Sequence, residues 1–201
     1  MTLADLMRRR RMVHQFEPRL PPRDLIDTVL EAALHAPSGG FSQGFAMVVI
    51  DDPERVRWFH EATSSPDDPA ELRDLAAARP PVIAIAMCNP SIYTERYSRA
   101  DKEFAGLQSA ESWAVPYWWV DAGMAVMLIL LAAVENGLGA WFYGLHVAED
   151  ELRMKLGLPD GFLVVGVIGL GYKASEDRKL GSSVTIPRRR FEEVVRRTDP
   201  A

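Results

Sequence analysis

Arginine is concentrated in two places, Arg8 to Arg11 near the start of the chain and Arg188 to Arg190 near its end. The chain as a whole is acidic, with 23 Lys and Arg against 28 Asp and Glu and a formal net charge of -5. Guanidinium forks match phosphate oxygens two bonds at a time, so basic clusters in an acidic chain point to one phosphate gripped from both ends. The plainer reading is two solvated helix ends, the first favoured by the helix dipole. A second candidate is the loop Ala36, Pro37, Ser38, Gly39, Gly40, Phe41, Ser42, Gln43, Gly44. There a hydroxyl and backbone N–H groups can contact a ligand, and the glycines let main chain come close to it. His14 adds a group that titrates near neutrality. The run from Trp113 to Trp119, WAVPYWW, adds flat aromatic surface, which in most proteins is core.

These residues need elements to hold them. Thr2 followed by Asp5 reads as a capping box opening a short helix that runs into the first arginine cluster. Leu25, Ile26, Val29, Leu30, Ala33 and Leu34 repeat at helical spacing between Pro22 and Pro37. The apolar runs Phe45 to Ile50, Val82 to Met87 and Leu163 to Leu170 predict buried strands, and Pro66 to Arg79 reads as helical. The segment Asp121 to Asn136 is apolar on every face and ends at Gly137, which predicts a helix buried through the middle of the protein. Glu149 to Leu156, closed by Gly157, is a further short helix, and Lys173 to Thr185 a surface loop. Strands and helices alternate without the rhythm of a doubly wound sheet, so the expected class is α+β, in a single domain spanning residues 1–201.

Composition excludes several classes of function. A net negative chain is the wrong sign for gripping nucleic acid by counterion release. The longest apolar run, Ala122 to Val134, is shorter than the ~20 residues of a bilayer crossing, so no membrane association is expected. The start MTLADLMRRRR lacks the apolar stretch of a secretory signal, and the implied location is the cytoplasm. Cys88, the only cysteine, lies in an apolar run and reads as a buried, inert thiol. The four histidines show no metal-ligand spacing, so no metal is expected.

The chain resembles the FMN-dependent nitroreductase family. That family opens with an arginine doublet, a Ser, a small apolar residue, a basic residue and a Phe; here the frame reads Arg10, Arg11, Met12, Val13, His14, Gln15, Phe16. The family's APS loop, leading to an Asn, a Gln and a Pro-Trp pair, stands beside Ala36 to Phe45. Further matches are the apolar helix after Asp121, GLGAWFYG from Gly137 to Gly144, the LGLPDGF turn, Gly169 to Tyr172, and the closing PRRRFEEVV. The resemblance implies a three-layer α+β fold, with a central mixed, mainly antiparallel sheet flanked by helices around a buried apolar helix. It also implies a homodimer with FMN at its interface.

Carried over by position, the resemblance places Arg10 and Arg188 on the FMN phosphate. Pro37, Ser38, Gly39, Gly40 and Phe41 would come from the second subunit, and Phe142, Tyr143 and Gly144 would run along the isoalloxazine. His14 takes the family's basic position beside the flavin pyrimidine, where it would stabilise negative charge; packed at a helix-to-loop junction, it would do no chemistry. Trp113 and Tyr117 are candidates for the roof of a substrate pocket, with Tyr93 and Arg96 behind them. Met12 replaces the family's phosphate-binding Ser, a gap that Arg11 is placed to fill, and Phe41 replaces its Asn. No GxGxxG follows a strand, so NAD(P)H would dock over the flavin, leave, and be followed in the same cavity by a small planar oxidant, a nitroaromatic or quinone. The rival readings are a flavin-binding or storage protein without turnover, and a relative acting on another flavin, either deazaflavin-linked or of the flavin-fragmenting dimethylbenzimidazole synthase type.

Overall fold

The run Val82 to Cys88 is apolar at every position, a pattern that a strand can bury only when both its faces are covered. The structure, a computed structural model, describes residues 1–64, 78–145, 149–177 and 184–198. In chain order its elements are α1 (Leu3–Arg9), α2 (Arg23–Glu31), β1 (Phe45–Ile50), α3 (Pro53–Ala62), β2 (Val82–Cys88), α4 (Pro90–Tyr97), α5 (Tyr117–Glu135), β3 (Gly139–Tyr143), α6 (Glu149–Leu156), β4 (Leu163–Gly171) and α7 (Phe191–Val194). The four strands form one sheet in the order β1-β2-β4-β3, with every neighbouring pair antiparallel.

Side chains alternate across β2 as the pleat requires. Val82, Ala84 and Ala86 face one way and pack with Ile168 and Leu170 beneath Ile26 and Val29 of α2 and Ile129 of α5. Ile83, Ile85 and Met87 face the other way and pack with Ile50 and Val167 beneath Phe59 of α3 and Leu152 of α6. Helices therefore cover both faces, giving the expected three layers. Among the described residues the sheet gains a parallel contact where Met12 bridges Ala140, with the Val13 N–H donating to the Ala140 carbonyl at 2.9 Å. The chain between α1 and α2 thus extends the sheet past β3.

Local signals set the helix ends. Thr2 and Asp5 form the expected reciprocal capping box on α1, and the Asp52 side chain caps α3. Three expectations need correction. The GLGAWFYG run contains a strand, β3, which its glycines and short length concealed. The central helix begins at Tyr117, directly after Pro116, and spans 19 residues. It is also not buried on every face by its own chain: Ala122, Ala125, Ile129 and Ala133 are buried, but Tyr117, Trp119, Val120, Met124 and Met127 are exposed. One apolar face of α5 is therefore left uncovered. The helix expected over Pro66 to Arg79 lies almost entirely outside the described residues, as does the middle of the loop Lys173 to Thr185.

Two glycines of β4 are fixed by sterics. A Cβ added at Gly169 would stand 2.5 Å from Cγ of Pro80, and one at Gly171 would stand 2.6 Å from Cδ of Pro81. A proline ring cannot swing aside, so the strand would have to move. Gly169→Ala is expected to lower stability by about 1–3 kcal/mol, the usual cost of overpacking. Urea titration should show a lower midpoint at an unchanged slope.

Candidate active site

The segment from Arg10 to Phe16 leaves the end of α1 and is pinned by one carboxylate. Asp177, whose side chain is fully enclosed, pairs with Arg11 and accepts the backbone N–H groups of His14 at 3.0 Å and Gln15 at 3.1 Å. Arg11 is thereby committed within its own chain, which corrects the expectation that it fills the place left by a phosphate-binding serine. Arg10, at the C-cap of α1 and half-buried, donates its backbone N–H to the Leu6 carbonyl at 2.8 Å, and its guanidinium has no hydrogen-bond or ion-pair partner among the described residues. Met12 has a structural role of its own. Its thioether sulfur accepts the Phe142 N–H at 3.5 Å and its side chain packs against the core under α5.

His14 lies edge-on against Trp141, with ring centroids 5.2 Å apart. Its Nδ1 and the Oε1 of neighbouring Gln15 are buried with no hydrogen-bond partner. Orphaned buried polar atoms are costly, and on each of these two successive residues a ligand could supply the missing partner. Burial pushes the His14 pKa below its ordinary 6.5; the Asp177 carboxylate opposes that shift and the Arg11 guanidinium adds to it. The net effect favours the uncharged ring. An uncharged ring offers hydrogen bonding, whereas the charge stabilisation expected at this position takes the protonated form. Beside it, Phe142 and Tyr143 are half-buried with their rings turned into the two cores, and Gly144 is exposed.

The loop around Ser38 is built at the other end of the molecule. Gly39 donates its N–H to Oδ2 of buried Asp121 at 2.8 Å, and the Tyr93 hydroxyl donates to the same oxygen at 2.8 Å. Arg96 Nε holds the Gly40 carbonyl at 2.8 Å while its guanidinium pairs with Asp101. Gln43 N–H donates to Ser38 Oγ at 3.0 Å, and Ser42 Oγ donates to the Gly39 carbonyl at 2.6 Å. The backbone so fixed is left-handed at Gly40, Phe41 and Gln43, with φ of 60°, 57° and 57°, a region that costs a non-glycine residue about 1–2 kcal/mol. Tyr93 and Arg96, expected near a pocket roof, instead position this loop.

Sequence reasoning used Asp121 only as the end of an apolar run. A carboxylate at the head of an apolar helix must find partners if buried, and that signal was available. Asp177 gave none, because it sits in a polar stretch with no pattern.

An open cleft of about 490 Å³ lies beside the loop, lined among others by Gly39, Tyr97, Trp113 and Tyr117, with no charged side chain in its walls. Trp113 is itself packed into an aromatic cluster with Tyr93 and Trp118, its Nε1 donating to the Leu107 carbonyl at 3.1 Å. Tyr117 is exposed. Arg188 lies in the exposed segment 184–190, far along the chain from Arg10, and the pairs that Arg189 and Arg190 make go to nearby Glu193. One chain therefore carries Arg10, Met12 and His14 on one segment, and separately the Pro37 to Phe41 loop, whose Gly39 shares the cleft with Trp113 and Tyr117. It does not join the two sets.

Comparison with known proteins shows what the chain is similar to. Residues 7–172 match a family model described as the nitroreductase family. The chain is 30% identical to a protein named NADH dehydrogenase from Thermus thermophilus, over 84% of this chain and 85% of that one. It is 27% identical to an NADH dehydrogenase/NAD(P)H nitroreductase of Methanothermobacter thermautotrophicus, over 87% of this chain and 78% of the other. Among solved structures, a nitroreductase from Bacteroides fragilis with bound FMN has a TM-score of 0.62 at 20% identity, covering 94% of this chain and all, 100%, of that one.

Two tests follow from these contacts. Tyr93→Phe removes a hydroxyl donor from a buried carboxylate and is expected to cost about 1.5–3 kcal/mol in chemical denaturation, the range for hydrogen bonds to charged groups. His14, followed by its ring proton shifts, should titrate below 6.5. Between the folded and unfolded pKa values the unfolded state binds more protons, so stability rises with pH through that window and is lost as pH falls below about 6.5. Half-buried His60, also shifted down by desolvation, contributes in the same direction. His14→Gln should remove part of this loss on the acid side.

Proposed function

The chain belongs to the nitroreductase family, and from that premise we propose that it is a homodimeric, FMN-dependent oxidoreductase that draws electrons from NAD(P)H and reduces a small planar electrophile of the nitroaromatic or quinone type. The observation that carries the reading is the Arg10 to Gln15 segment. It offers an unpaired guanidinium together with an imidazole nitrogen and an amide oxygen that are buried without partners.

These residues fit FMN in their chemistry. Arg10 supplies a fork for phosphate oxygens, and Arg188 a second from the C-terminal segment. Neutral His14 and the Gln15 amide offer hydrogen bonds to the polar edge of a flavin ring, and Asp177 holds both residues through their backbone. Gly144, with no side chain, lets the strand end lie close to a ring. Met12 carries no hydroxyl, so the phosphate depends on guanidinium groups more than a serine-bearing site would. Pro37, Ser38, Gly39, Gly40 and Phe41 reach the flavin of the partner, and the cleft by Trp113 and Tyr117 receives the acceptor. Bound FMN supplies two-electron hydride chemistry, so that the net reaction on a quinone is NAD(P)H + H⁺ + quinone → NAD(P)⁺ + hydroquinone. NAD(P)H and acceptor occupy one cavity in turn, which gives ping-pong kinetics.

Arg10→Ala and Arg188→Ala each remove charge-assisted bonds worth about 1.5–3 kcal/mol, so FMN affinity is expected to fall roughly tenfold or more in each. Fluorescence titration of apoprotein with FMN measures this directly. Unchanged affinity in both variants would overturn the assignment of the two arginines to one phosphate.

A further inference from the structure

An open cleft of about 580 Å³ lies on the α3 side of the sheet, and its walls include none of the residues proposed to hold FMN. That volume is usual for a small-molecule site. Its apolar floor is rigid. Pro80 and Pro81 sit directly on β4, where Gly169 and Gly171 leave room for their rings. Phe16 is held beside them, its backbone N–H donating to the Ala78 carbonyl at 2.8 Å. Phe16 and Val56 are buried, and Leu20 lines the cleft while partly exposed. Such walls have little conformational freedom left to lose, so an apolar group entering the cleft releases water without having to order its surroundings.

The polar groups of the cleft lie chiefly on α3. Arg57 and Glu61 stand one helical turn apart and both line it, a spacing at which opposite charges can pair. They do not pair: both side chains are exposed, and neither has a hydrogen-bond or ion-pair partner among the described residues. His60 adds an acceptor. Its Nε2 lies 3.1 Å from the Pro80 carbonyl, which can only accept, so in the neutral ring the proton sits on Nε2 and Nδ1 keeps its lone pair. Arg79 is already engaged in closing the end of α3, donating to the His60 carbonyl and to Ser64 Oγ, each at 2.7 Å.

A guanidinium suits a carboxylate, a carboxylate and an imidazole nitrogen suit an ammonium, and the floor suits an apolar side chain. We propose that this cleft binds a zwitterionic amino acid with a large apolar side chain, at a site separate from the flavin and the acceptor. Arg57 takes the ligand's carboxylate as a fork, and Glu61 with His60 takes its ammonium. The ligand's side chain lies over Phe16, Pro80 and Pro81. Each of the two unpaired charges of α3 then meets its opposite, and none is covered without a partner. A simple carboxylate would be repelled by Glu61, and a simple amine by Arg57.

The test is calorimetric titration of the purified protein with L-phenylalanine, 3-phenylpropionate, phenethylamine and glycine, with excess FMN throughout to keep a flavin site filled. L-Phenylalanine should bind saturably, one per chain, and each of the other three at least tenfold more weakly. Arg57→Gln and Glu61→Gln change exposed side chains, so both should melt as wild type does. Each should weaken phenylalanine binding tenfold or more. Arg55→Gln, on the same helix but outside the cleft, should leave it within twofold. Absence of saturable phenylalanine binding overturns the proposal. So does binding of phenylpropionate or phenethylamine as tight as that of phenylalanine, or a phenylalanine affinity within twofold of wild type in both cleft variants.

Discussion

The order of strands imposes the constraint on which the rest of the account depends. With β1 at one edge and the Met12 bridge beyond β3 at the other, four strand spacings separate the loop that precedes β1 from the segment that carries Arg10 and His14. The register adds distance along the strands. Phe45 lies level with Cys88 and Leu163, whereas Ala140, and with it Met12, lies level with Leu170. At roughly 4.8 Å per strand and 3.3 Å per residue, the two halves lie on the order of 30 Å apart, farther than one mononucleotide reaches within one chain. Completing a site from both halves takes a second copy, and the uncovered apolar face of α5 is the surface suited to recruit it.

Two buried carboxylates make each half rigid. Asp177 gathers a guanidinium and two successive backbone N–H groups, and so fixes the segment that presents Arg10 and His14. Asp121 gathers a backbone N–H and a phenol, and so fixes the loop that presents Ser38 and Phe41. A carboxylate out of water is tolerated only with such partners, and the same requirement makes each an exact locator of backbone. Neither touches the proposed cofactor; they hold the groups that would.

Much of this was legible in the sequence, for identifiable reasons. The strands around Val82 and Leu163 announced themselves because burial on both faces demands unbroken apolar runs, and α1 because Thr2 and Asp5 sit three apart. β3 was missed because it is only 5 residues long and opens on Gly139, and it is placed by pairing with distant β4 rather than by local preference. The open face of α5 was missed because an apolar helix reads alike whether its own chain or a partner covers it. Among the site residues, Met12 and Arg11 show the limit most clearly. Position in a motif located them, but their contacts with Phe142 and Asp177 depend on residues more than 100 positions away. The direction of the His14 pKa was likewise not legible, since burial, which the sequence does not display, pushes it down.

The central claim is that each site is shared between two chains, and subunit complementation tests it most directly. One protein would carry Arg10→Ala with Arg188→Ala, disabling the phosphate side. The other would carry Gly39→Pro, which removes the N–H held by Asp121 and disables the loop. Each alone should be inactive with NADPH and menadione. In a heterodimer from coexpression, a shared site puts both defects in one cavity and leaves the other intact, so random pairing should restore about a quarter of the wild-type sites. If the mixed preparation, shown by mass analysis to contain heterodimers, stays as inactive as its parents, each site lies within a single chain and the account is wrong.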